Sequence, residues 1–132
     1  MKVKIDFVSN SSSTSFVYIA QDMLTKDDFF DAVGVSASSP AAPLFQEMFE
    51  QLKSRIESGD RLTSPEDVDA LEGSREFMPE VLTRMKDALE QGKTVTTGYL
   101  SSEDGMAESV LCTEILEIDS ERFFINAYDN YW

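Results

Sequence analysis

The chain has 132 residues, 25 acidic against 11 basic side chains, a net charge of −14, one cysteine and no histidine. The length suits one domain, and 42% apolar residues suffice to build its core, while the acid excess repels phosphates and argues against direct binding of nucleic acid or anionic lipid. Without imidazole there is no Ser-His or Cys-His relay and no His-ligated metal, and a lone cysteine leaves no internal disulfide or zinc cluster, as expected of a reducing compartment.

Taken in chain order, Met1-Lys2-Val3-Lys4-Ile5-Asp6-Phe7-Val8 alternates charge with hydrophobe, the period of a half-buried strand. A secretion signal would carry an unbroken apolar run there, and no stretch approaches the roughly 18 apolar residues of a membrane span, so a cytoplasmic location is expected. Ser15 to Ala20 reads as a second strand around Phe16, Val17, Tyr18 and Ile19. The polar segment Ser9-Asn10-Ser11-Ser12-Ser13-Thr14 is short enough for a hairpin-like connection, so the two strands are expected to pair antiparallel.

The middle is helical. Thr25-Lys26-Asp27-Asp28 has the shape of a helix N-terminus, with the Thr25 hydroxyl capping early amides, Asp27 and Asp28 favoured by the dipole, and Leu24 stapled onto Phe29; Gly34 ends the helix. Ser39-Pro40 opens a second helix with an apolar stripe of Leu44, Phe45, Met48, Phe49, Leu52 and Ile56, closed by Gly59 as a left-handed cap. Ser64-Pro65-Glu66-Asp67 starts a short third helix carrying Val68 and Leu71 and stopping near Gly73. Met78, Val81, Leu82, Met85 and Leu89 stripe a fourth that ends at Gly92.

Strand pattern returns at Thr94 to Leu100. Residues Met106 to Cys112 suit a helical turn or two, followed by strands near 114 to 118 and 122 to 127. The expected architecture is one α+β domain: an antiparallel sheet of four or five strands, an N-terminal pair plus a C-terminal meander, with the central helices on one face.

The opening Lys2-Val3-Lys4-Ile5-Asp6-Phe7-Val8-Ser9-Asn10-Ser11-Ser12-Ser13-Thr14-Ser15-Phe16 resembles that of a loose set of uncharacterised bacterial and phage proteins. These begin with a Lys-rich strand, then Phe-Val-Ser/Thr-Asn, a serine run and Phe. Thr14 interrupts the run here. The resemblance covers the first residues only and implies no activity.

Four features invite a functional reading. Amides and hydroxyls of Ser9, Asn10, Ser11, Ser12, Ser13 and Ser15 could form an anion-binding nest, but the segment has no Gly, no Lys and no helix behind it, so a solvated connection ordered by local side-chain hydrogen bonds competes. Cys112 lies between Glu108 and Glu114, which raise a thiol pKa and favour a small buried hydrophobe over a nucleophile. Glu103-Asp104, Asp119/Glu121 and Asp129-Asn130 are oxygen-rich, yet none has the spacing of a calcium loop. At the C-terminus Tyr131 and Trp132 either fold back onto the core or anchor a partner.

No catalytic, cofactor-binding or metal-ligating residue emerges from these patterns. The sequence reads first as a non-catalytic protein-interaction module with another protein as partner, self-association staying open. Its alternatives are a DNA-mimicking inhibitor of a nucleic-acid-binding protein and a small enzyme using carboxylates with a divalent metal.

Overall fold

The structure, a computed structural model, describes residues 2–6, 13–71, 77–101 and 115–128. In chain order these form β1 (Lys2–Asp6), β2 (Ser13–Ala20), α1 (Lys26–Val33), α2 (Ala42–Glu57), β3 (Asp60–Leu62), α3 (Pro65–Asp69), α4 (Pro79–Glu90), β4 (Thr94–Ser101), β5 (Ile115–Asp119) and β6 (Phe123–Tyr128). The strands build one antiparallel sheet of order β1-β5-β6-β2-β4-β3. The expected α+β class with a single antiparallel sheet is what folds, but of the expected C-terminal meander only the β5–β6 hairpin forms, because β2 lies between β6 and β4.

Strand order follows from which strands can be buried. β6 and β2 carry unbroken apolar runs, Phe123-Phe124-Ile125 and Phe16-Val17-Tyr18-Ile19-Ala20, every residue of which is buried. Such runs need cover on both faces and therefore belong at the centre of a sheet. β1, with its alternating charges, takes an edge beside β5, in a register that sets Lys2 opposite Asp119 and Lys4 opposite Glu117. The expected N-terminal pair therefore does not form: β1 and β2 run antiparallel but are separated by β5 and β6. A sixth strand, the three-residue β3, adds to the four or five expected, pairing Asp60–Leu62 with Thr97–Val95 of β4.

The helices divide between the two faces instead of sharing one. Phe16, Tyr18 and Ala20 of β2 pack with Phe29 and Phe30 of α1 and with Met48, Phe49, Leu52 and Ile56 of α2. Val17 and Ile19, pointing the opposite way, pack with Val68 of α3, with Val81, Leu82, Met85 and Ala88 of α4, and with Val95 and Phe124. The apolar stripes of α2 and α4 are both buried as expected, but against opposite faces, because one sheet face could not cover the alternate apolar residues of β2.

Local signals set the helix ends. Thr25 caps α1, its hydroxyl accepting from the Asp28 amide at 3.1 Å, and Gly34 closes it at φ 74°. α2 starts at Ala42, later than Ser39-Pro40, after a turn in which the Ala42 amide donates to the Ser39 carbonyl. Gly59 has no positive φ and is not a left-handed cap; a Cβ there would lie 2.5 Å from the Thr97 carbonyl oxygen, so glycine lets α2 close onto β4. The Asp67 carboxylate accepts from the amides of Thr63 (2.9 Å) and Ser64 (3.3 Å) at the start of α3, and Lys86 of α4 pairs with Asp69 of α3.

Candidate functional site

Ser9, Asn10, Ser11, Ser12, Cys112, Tyr131 and Trp132 lie outside the described residues, as do Glu103-Asp104, Asp129-Asn130 and the stretch Met106 to Cys112. Ser13 and Ser15 belong to β2, so their backbones serve the ladder: Ser13 pairs with Ser101, and Ser15, 6% exposed, pairs with Tyr99 and Tyr128. Asp119 is held by Arg84, whose Nη1 and Nη2 donate to its carboxylate at 2.9 and 2.7 Å.

At the end of β2 away from Ser13, the strand runs into α1. The connection Gln21-Asp22-Met23-Leu24 passes between two clefts. One, about 490 Å³, is walled by α4 and the β5–β6 turn; the other, about 440 Å³, by the end of α2 and the starts of β3 and β4. Tyr18, Gln21, Asp22 and Met23 line both.

This connection is pinned on each side of Met23. Before it, the Tyr18 hydroxyl donates to the Asp22 carbonyl at 2.7 Å; after it, Leu24 is buried in the core and Thr25 caps α1. Burial first, then the carboxylates of Asp28 and Asp22, push the Tyr18 phenol well above its ordinary pKa, so it stays protonated and keeps donating. Met23 itself is 46% exposed, one of two large hydrophobic side chains so exposed among the described residues, the other being Tyr99.

Carboxylates outnumber cations by one in each cleft: Asp22, Asp28, Asp87 and Glu121 line the larger beside three cations, and Asp22 and Glu57 the smaller beside Arg61. Of the larger cleft's three cations, Arg84 is bound edge-on by Asp119 and stacked 3.8 Å from the centre of the Phe124 ring, and Arg122 lies 3.4 Å from Asp28; Lys93 is the third. Arg84 thus fixes the turn between β5 and β6 to α4. Among the described residues no group of three or more Cys, Asp or Glu side chains is arranged to hold a metal ion. None of their helices is long and apolar enough to cross a membrane.

Met23 is thus an exposed apolar side chain on a fixed backbone between two clefts lined by charges of both signs. The fold and this surface together describe an acidic α+β domain with an exposed methionine on the link between β2 and α1. Comparison with protein-family models, curated proteins and solved structures yields no match for the chain. The sequence pointed to neither Met23 nor Tyr18 as a site; the available signal was a methionine inside the short polar link between a strand and a capped helix.

Proposed function

We propose that the protein is a non-catalytic interaction module of the cytoplasm, which docks a partner protein through the Gln21–Leu24 ridge and its flanking clefts. Met23 carries this reading: a flexible, polarizable side chain held out to solvent on a backbone pinned by Tyr18 and Leu24. The partner presents a basic surface with an apolar recess. Its cations pair with Asp22, Asp87 and Glu121 at the rim, and the net charge of −14 steers such a surface in and turns a second copy of this chain away.

The test places a photo-crosslinking amino acid at position 23 in cells and, as a control, at the exposed Glu66 of α3. A dominant product from position 23 that is missing from position 66, and that fades in extracts as added salt screens the rim charges, is the expected result. Equal products from both positions, or none from position 23, would contradict the docking role.

A further inference from the structure

We propose that Met23 is a reversible oxidation site, modified by peroxide-class oxidants in the folded protein. Three observations converge on this residue. Its side chain is 46% exposed, whereas Met48 and Met85 are 3% and 0% exposed, and Met78 is packed against the core. Clefts open on both sides of it, leaving room for a small oxidant. Its backbone is fixed from both ends, so a change at the sulfur alters the surface without releasing the core.

The chemistry needs no further group from the protein. A sulfur lone pair attacks one peroxide oxygen, the S–O bond forms as the O–O bond breaks, and the departing hydroxide takes the remaining proton to leave as water. Sulfur loses two electrons and the peroxide gains them. The sulfoxide is polar and tetrahedral, unfit for an apolar recess, and thiol-dependent methionine sulfoxide reductases reverse the step by reducing it to the thioether and water while a dithiol becomes a disulfide.

The protein is exposed to dilute hydrogen peroxide and its methionines are followed by peptide mass spectrometry. Met23 is expected to gain one oxygen roughly tenfold or more faster than Met48 and Met85, which must wait for the structure to open. Near-ultraviolet circular dichroism should stay unchanged when Met23 alone is oxidised, and a sulfoxide reductase with its thiol donor should restore the thioether in the folded protein. Met23→Leu should remove the modification at position 23 and leave the slow ones at Met48 and Met85. Oxidation of Met23 no faster than of Met48 and Met85, loss of the tertiary signal with the first oxygen, or a sulfoxide resistant to reductase would each overturn the proposal. No outcome depends on a partner, so failure here is separable from failure of the docking role.

Discussion

Tyr18 links the core to the proposed docking ridge, and its chemistry gives a pH signature. Burial raises its pKa in the folded chain above the ordinary value near 10, so the folded state holds the phenolic proton more tightly than the unfolded state. The resulting stability is fully present below about pH 10 and is lost as pH rises from there toward the folded value. Tyr18→Phe should cost about 0.5–1.5 kcal/mol at neutral pH, the worth of the hydrogen bond to the Asp22 carbonyl, and should flatten the alkaline limb. Urea unfolding at a series of pH values from about 8 to 11 checks both. Asp67 works with the opposite sign: the Thr63 amide foremost, and then Ser64 and the Thr63 hydroxyl, hold its carboxyl below the usual range. Its contribution is present above the ordinary carboxylate value and lost as pH falls through the folded one. Asp67→Asn should therefore lower stability at neutral pH, and the gap from the parent protein should close in acid unfolding experiments.

At the scale of elements, two glycines set how closely α2 and β2 approach β4. A Cβ at Gly98 would lie 2.8 Å from Cε1 of Phe16, which is fully buried, and one at Gly59 would meet the Thr97 carbonyl oxygen. Gly59→Ala and Gly98→Ala are each expected to destabilise by about 1–3 kcal/mol, the range of overpacked cores, read from the shift of the urea midpoint at constant m-value. Local structure was legible wherever one residue type answers one local need: the Thr25 cap, the stops at Gly34 and Gly92, and the three-four stripes of α2 and α4. Gly59 was misread because a glycine after a helix has the same sequence signature whether it supplies a left-handed turn or a close approach. β3 escaped notice because three residues carry too little pattern.

At the scale of the molecule, what was not legible is long-range. The Ser-rich segment suggested a hairpin between β1 and β2, yet pairing is decided by which strands need burial on both faces, and β5 and β6 lie between them. The unbroken run Phe16 to Ala20 held the clue to helices on both faces, since cover on one face alone calls for alternation. The proposed docking ridge was invisible because its lining comes together only where β2, α1, α2, α4 and the β5–β6 turn meet. The acid excess should govern solubility: as pH approaches the sequence pI of about 4.2 repulsion disappears, and precipitation in a pH scan should be greatest there. The most direct test of the docking ridge is the affinity, by calorimetry, of the crosslinked partner for the parent protein and for Met23→Asp. Loss of the anchor should weaken binding by at least about tenfold, some 1.4 kcal/mol, with the fold intact by circular dichroism; unchanged affinity in a folded Met23→Asp protein would contradict the assignment of this ridge as the docking surface.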